Sequence, residues 1–219
     1  MGRPKNTDAR RAQITAGLLE VLAASGYEGA TVAAIAKAAG LAPGLVHYHF
    51  ATKEEILVAL VEELVRRLDA RARAALATTG DDPRGRLLAY VDAHVALGEG
   101  ADAQAVAAWV AIGAEATRRP EVRRLYQAAV ELRLATLEGL LRECLRTEGR
   151  SQRHATAWAA AVASAIEGAY LLATAAPGSL PRGFAAPALR RLVGGLLGEP
   201  ITPPAVRTAS RRPPRGSVR

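Results

Sequence analysis

Apolar residues recur at helical spacing along almost the whole chain, and no stretch alternates apolar with polar residues for long enough to make a strand. For a chain of 219 residues this periodicity predicts an all-α fold. Ile14, Leu18, Val21 and Leu22 share one helical face, and Ser25-Gly26 stops that helix because Gly26 can take the left-handed conformation. Thr31 is a good N-cap for a short second helix carrying Val32, Ile35, Ala36 and Ala39 on one side, closed by Gly40. A third runs from about Ala42 to His49, with Pro43 tolerated in its first turn. Thr52-Lys53-Glu54-Glu55 reads as a capping box. It opens a helix that stacks Leu57, Leu60, Val61, Leu64 and Leu68 and runs to about Ala77. Beyond the breaker Thr79-Gly80-Asp81-Asp82-Pro83, helices are predicted at about 83–97, 102–118, 121–148, 151–175 and 184–197, bounded by Gly98–Gly100, Pro120, Gly149, Pro177–Pro181 and Gly198–Pro200. The one at 121–148 aligns Val130, Leu134, Leu137, Leu141 and Leu145. The expectation is therefore about nine helices without a repeat of fixed period.

Charge divides this helical string into three parts. Residues 1–53 carry a net +3, residues 54–199 hold 18 charges of each sign, and residues 200–219 hold five Arg and no acid. Basic ends on a neutral body suit a polyanion, because cations near phosphates release condensed counterions. They also suit plain solubility, the favoured reading for the Pro/Arg-rich tail, where few apolar groups predict disorder. Half the residues are hydrophobic, which excludes a chain disordered throughout. The lone Cys144 excludes a disulfide framework or a multi-cysteine metal site, and a single thiol fits a reducing, cytoplasmic setting. Met1–Ala12 is basic and polar, with no apolar run behind it that could act as a secretory signal. Between Arg153 and Arg182 Glu167 is the only charge; it sits mid-stretch, Pro177 and Gly178 break the run, and alanine dominates it. The stretch reads as a buried interface helix rather than a membrane span.

Residues 31–50 carry the functional signal. Two short helices joined by a tight turn at Gly40-Leu41-Ala42 make a helix-turn-helix. Such a pair braces its first helix on the core and presents the N-terminal residues of its second to a major groove about 12 Å wide. In Pro43-Gly44-Leu45-Val46-His47-Tyr48-His49-Phe50, Val46 and Phe50 face inward at i and i+4. Leu45, His47, Tyr48 and His49 are left outward or sideways, and Gly44 lets a phosphate or base come close to the backbone. His47 and His49 point about 200° apart on a helix, so they do not share a metal ion. No phosphate-cradling glycine loop, nucleophile cluster or HExxH motif is present, and no enzyme, cofactor or metal is expected.

The stretch Thr31-Val32-x-x-Ile35-Ala36-x-x-Ala39-Gly40-Leu41, continued by Gly44-x-Val46-His47-Tyr48-His49-Phe50-x-x-Lys53-Glu54-Glu55-Ile56-Leu57, resembles the DNA-binding domain of TetR-type transcriptional repressors. Gly26-Tyr27 resembles the family's turn after the first helix. The runs Ala114–Tyr126 and Ile166–Leu171 resemble the BetI-like branch. The resemblance implies a homodimer of nine or ten helices per chain, an N-terminal reader of palindromic double-stranded operators, and a C-terminal pocket whose small-molecule effector releases DNA. It also implies phosphate contacts at Thr31, His47 and Lys53. His47 stands where the family usually has Tyr, and Ala42 where it has Ser, which weakens the N-cap of the reading helix.

The expected division is a DNA-binding domain over 1–52, an effector and dimerisation domain over 53–199, and a basic tail over 200–219. Arg3, Lys5, Arg10 and Arg11 would act as an ordering arm on phosphate or minor groove, beside Thr31, Pro43, Gly44, Leu45, His47, Tyr48, His49 and Lys53. Candidate pocket residues are the polar groups on apolar helices, His94, Glu115 and Glu167, and the aromatics Trp109, Tyr126, Trp158 and Tyr170. For each the alternative is a satisfied core residue; Cys144 reads as core. The helices at 155–175 and 184–197 are the candidate dimer surface, because small residues permit close helix approach. A helical ligand-binding or scaffold protein without DNA binding is the alternative from another class.

Overall fold

A computed structural model describes residues 4–95 and 102–198, with side chains from Thr7 onward. These residues form α1 (Pro4–Gly29), α2 (Val32–Ala38), α3 (Pro43–His49), α4 (Lys53–Ala77), α5 (Pro83–Val95), α6 (Ala103–Ala116), α7 (Pro120–Thr147), α8 (Ala155–Ala175) and α9 (Ala185–Leu196). There are nine helices and no strand among the described residues. The predicted continuation of α5 to residue 97, the break at Gly98–Gly100 and the basic tail lie outside the described residues.

The stop signals act where they were expected. Gly26 adopts φ +66° and breaks the helical run inside α1, turning the chain so that Tyr27 returns to the interior. Gly40 closes α2 at φ +65°. Its amide donates to the Lys37 carbonyl at 3.1 Å and the Leu41 amide to the Ala36 carbonyl at 2.9 Å, the paired bonds of a Schellman motif. Thr52 caps α4 by accepting from the Glu55 amide, but Glu55 reaches back to the Ala51 amide, one residue beyond the N-cap itself. α8 begins at Ala155 rather than at the predicted residue 151, because Ser151–His154 holds nothing apolar to bury.

Two hydrophobic cores result. The first joins Ile14, Leu18, Ile35, Val46 and Phe50 of the helix-turn-helix region to Leu57 and Leu60 of α4, and also to Ile112 of α6 and Val122 of α7. The second packs α5, α7, α8, α9 and the far end of α4 around Leu87, Leu141, Val162 and Val193. The reading head is thus not a separate bead: α6 lies in its core. Gly17 sets the spacing inside the head. A Cβ there would lie 2.7 Å from the Ile35 carbonyl oxygen and 2.9 Å from the Ala39 amide nitrogen, so only glycine lets α1 and α2 approach this closely.

The face expected on α7 is shifted. Val130 and Leu134 are half-buried, while Arg133 between them is buried with Leu137, Leu140 and Leu141. The buried stripe rotates because a partner for the guanidinium waits on α8. Among the described residues, α8 alone is long and apolar enough to cross a bilayer. Its Ala159, Val162, Ile166 and Ala169 pack in the second core instead.

Candidate nucleic-acid interface and ligand cavity

α3 divides its residues as the i, i+4 spacing predicts. Val46 and Phe50 are buried, Leu45 and His49 half-buried, and Pro43, Gly44, His47 and Tyr48 exposed, Tyr48 by 71%. A Cβ built on Gly44 would meet nothing within 4 Å, so the backbone there is open to an approaching surface. No side chain caps α3, in keeping with Ala42 at its N-cap. The exposed Thr31 caps α2 by accepting from the Ala34 amide at 3.1 Å, and its hydroxyl proton remains to donate.

The basic residues expected to face a phosphate backbone are more engaged than the sequence suggests. Arg3 lies outside the described residues, as does the side chain of Lys5 in the first turn of α1. Arg10 and Arg11 belong to α1 and not to a free arm. Arg11 Nη1 donates to the His49 carbonyl at 2.6 Å, with its guanidinium 3.9 Å from the Phe50 ring centroid. Arg10 donates to Gln13, which donates in turn to the Ala39 carbonyl. These bonds satisfy the C-terminal carbonyls of α2 and α3, which lack helical partners of their own.

Lys53 belongs to a cluster that ties the head to the body. Its ammonium donates to the Tyr27 carbonyl at 3.0 Å and lies 3.9 Å from the Tyr27 ring centroid, while Arg119 lies 4.3 Å from that ring. The Tyr27 hydroxyl donates to Glu54 at 3.1 Å, and Arg119 bridges Glu54 and Glu115 at 3.1 and 3.0 Å. Burial, then the Glu54 carboxylate, pushes the Tyr27 phenol well above its usual range and keeps it a donor. Glu115 therefore belongs to this joint, on the last turn of α6, and lines neither chamber of the cavity described next.

That cavity lies between α4, α5, α6, α7 and α8. It consists of two adjoining chambers of about 170 and 240 Å³ that share Leu68, His94 and Trp109. Tyr170 borders the larger chamber and Arg133 the smaller. Behind Trp109 sits a polar network. Glu167 accepts from Trp109 Nε1 at 3.2 Å, from the Tyr126 hydroxyl at 3.1 Å, and from the Arg133 guanidinium. Trp109 and Tyr126 stack with centroids 4.7 Å apart. Burial, and then the Glu167 charge, raises the Tyr126 phenol to about 12. The His94 Nδ1–H donates to the Tyr90 carbonyl at 2.9 Å, and Tyr170 donates to the His94 carbonyl. Burial lowers His94 to about 4, so its ring is neutral at physiological pH.

Of the candidates, His94, Trp109 and Tyr170 line the chambers, while Tyr126 and Glu167 line neither and lie behind Trp109, bonded to each other, with Glu167 accepting from the Trp109 indole. Trp158 does not join them; half-buried on α8, it stacks on His154 at 5.9 Å, away from both chambers. Cys144 is buried, its thiol pushed up to about 11 by burial, as suits a core residue. Arg133 is the residue that the sequence reading missed. Its signal was available: a lone cation interrupts an apolar face of α7 as Glu167 interrupts one of α8. Among the described residues no group of three His, Cys, Asp or Glu side chains is placed to hold a metal ion.

Residues 9–60 match the family of bacterial regulatory proteins of the TetR type, and residues 83–198 match the BetI-type transcriptional repressor C-terminal family. The HTH-type transcriptional regulators BetI of Rhizobium meliloti and Stenotrophomonas maltophilia are 35% and 34% identical over 62% and 54% of this chain. The matched region spans 66% and 60% of the length of those relatives. A transcriptional regulator from a Rhodococcus species superposes with TM-score 0.75 at 27% identity, covering 85% of this chain and 95% of that one. A regulator from Saccharomonospora viridis, solved in complex with choline, superposes with TM-score 0.76 at 22% identity, covering 85% and 96%. With both the reading head and the greater part of the helical body matched, the chain belongs to the TetR family of bacterial transcriptional regulators and carries a C-terminal region of the BetI type.

Proposed function

We propose that this chain is a ligand-responsive transcriptional repressor that binds a palindromic operator as a homodimer and releases it when a small molecule enters the cavity. The observation that carries this reading is the course of α6. Trp109 near its middle borders both chambers, and Glu115 in its last turn is bonded through Arg119 to Glu54, beside Tyr27 and Lys53. A ligand that moves Trp109 therefore pushes on the joint that holds the head.

In this reading residues 1–52 contact DNA and residues 53–199 hold the effector and the dimer contact. Pro43, Gly44, His47 and Tyr48 enter the major groove, with Leu45 and His49 at its edge. Thr31 and Lys53 contact phosphate, Lys53 with ammonium protons to spare beyond the Tyr27 carbonyl. Pairing uses the outer faces of α8 and α9, where Leu171, Leu172 and Leu192 stay exposed in a single chain and an apolar groove runs between Gly168 and Ala188. Two-fold symmetry then sets the two copies of α3 about 34–36 Å apart, one turn of DNA. The protein works in the cytoplasm, with the chromosome.

A ligand favouring a conformer with the head displaced spoils that spacing. A differential affinity of about 1–3 kcal/mol changes operator binding about 5–150-fold. Gel retardation on the DNA upstream of the chain's own gene, repeated with candidate effectors, tests the reading. A retarded band that a bound effector weakens is expected; a protein that retards no such DNA would be the scaffold alternative.

A further inference from the structure

Trp109, Tyr126 and Glu167 have the makings of a cation receptor, with two stacked aromatic faces beside a carboxylate. In this chain the cation is already built in. Arg133, only 3% exposed, pairs with Glu167, and its guanidinium carbon lies 5.8 Å from the Trp109 ring centroid. A quaternary ammonium entering the cluster would have to evict that guanidinium and leave it buried without a counter-charge, an expensive exchange. Arg133 also has an unmet need of the opposite kind. Its Nε is buried with no hydrogen-bond partner among the described residues, and Arg133 lines the smaller chamber.

The other charges bordering the chambers are mostly spent. Arg67 pairs with Glu63, Arg73 with Asp69, and Asp102 caps α6 through the Ala105 amide. Arg71, exposed on the rim of the larger chamber, makes no ion pair among the described residues. The remaining walls are mostly apolar, with Leu64, Leu68 and Val106 prominent, beside the neutral polar groups of Tyr90, His94, Thr136 and Tyr170. We propose that the cavity selects an anionic ligand, a carboxylate on an apolar body, with Arg133 both filling the cation cage and donating to the ligand's head group. This rests on the chambers being the effector site, and it deepens that reading by naming the ligand's charge.

Isothermal titration of the full chain with sodium octanoate, sodium benzoate and choline chloride tests the proposal, in wild type and in R133M. In wild type a carboxylate binds and choline does not. In R133M the order reverses, because Glu167 and its aromatic neighbours are left open to a cation. Carboxylate affinity falls there by at least about tenfold, or about 1.4 kcal/mol. The double variant R133M/E167Q removes both charges without orphaning either, so it guards against misfolding of the single variant. It retains a wild-type thermal melt and has lost the carboxylate. Failure of both carboxylates to bind wild type, choline binding wild type as tightly as R133M, or undiminished carboxylate affinity in the double variant would each overturn the proposal. Calorimetry reads the ligand alone. A carboxylate that binds yet leaves operator retardation unchanged would therefore sink the coupling argued under the proposed function and leave the ligand class standing.

Discussion

Pro43, Gly44, His47 and Tyr48 lie exposed within six consecutive positions of one short helix, whereas Trp109 and Glu167 touch across 58 positions and meet Tyr126 and Arg133 from a further helix. The head places its working residues by local geometry: once Val46 and Phe50 go inward, a period of 3.6 dictates which neighbours stay out. The cavity places its residues by pairing. Glu167 is tolerable on an apolar helix because three donors from two other helices converge on it, and Arg133 because Glu167 is there. Damage should differ accordingly. A change on the outer face of α3 should alter DNA binding and spare stability, and a change that removes one partner of the buried pair should cost stability.

The sharpest break of this comparison is Glu167→Gln, which leaves Arg133 as a buried charge without its partner. A loss near 3 kcal/mol is expected, about the low end for an orphaned buried ion because Glu167 itself keeps some exposure. The urea midpoint measures it, and a loss below about 1 kcal/mol would mean that the pair contributes little to the fold. Next comes Gly17→Val, the one test in which the head should behave like the body. Its Cβ would press on backbone atoms of α2. A loss of about 2–3 kcal/mol is expected, and weaker operator binding should follow as α2 and α3 move.

Acid should separate the two regions further. The unfolded chain protonates His94 near pH 6.5, while burial holds the folded group down at about 4. The stability this group contributes is therefore complete above about 6.5 and declines as pH falls toward about 4, by up to about 1.4 kcal/mol per pH unit. His94→Gln should flatten that portion of the pH–stability curve; an unaltered slope would assign it to other groups.

The smallest stability effects belong to the DNA-facing side. Lys53→Ala should weaken binding to specific and random DNA about equally and reduce the salt slope by about 1. A slope equal to wild type would place Lys53 on Tyr27 alone. Tyr48→Ala should shift stability by no more than about 0.5 kcal/mol while changing base preference at one operator position. Uniform weakening over all sequences would reassign Tyr48 to the phosphate backbone.

Legibility in the sequence follows the same line. The capping residues Thr31 and Thr52, the left-handed Gly26 and Gly40, and the inward pair Val46 and Phe50 all act through neighbours within about four positions, and each was readable in advance. Glu115 is grouped with the pocket as a carboxylate on an apolar segment and Trp158 as an aromatic on a central helix, and neither pattern tells which neighbour the side chain will meet. Each meets a residue only four positions away, Glu115 the Arg119 guanidinium and Trp158 the His154 ring, so these local partners are readable in the sequence and the pocket assignment passes over them. Arg10 and Arg11 look like a loose arm because what holds them ends on residues remote in sequence: Arg11 on the His49 carbonyl of α3, and Arg10, through Gln13, on the Ala39 carbonyl that closes α2.

From its sequence alone this chain determined that it would be helical, where most helices begin and end, and which side of α3 would stay outside. Those outcomes rest on backbone stereochemistry and on the period of side-chain burial, both of which act over a turn or two. Tertiary packing decided which partners the charges would meet across helices: the buried Arg133 with Glu167 inside the body, and the half-exposed Arg119 with Glu54 at the joint. A lone charge on an apolar face announces that a partner is needed. Only the crossing of helices brings one within a few ångströms, where the low dielectric makes the pairing worth keeping.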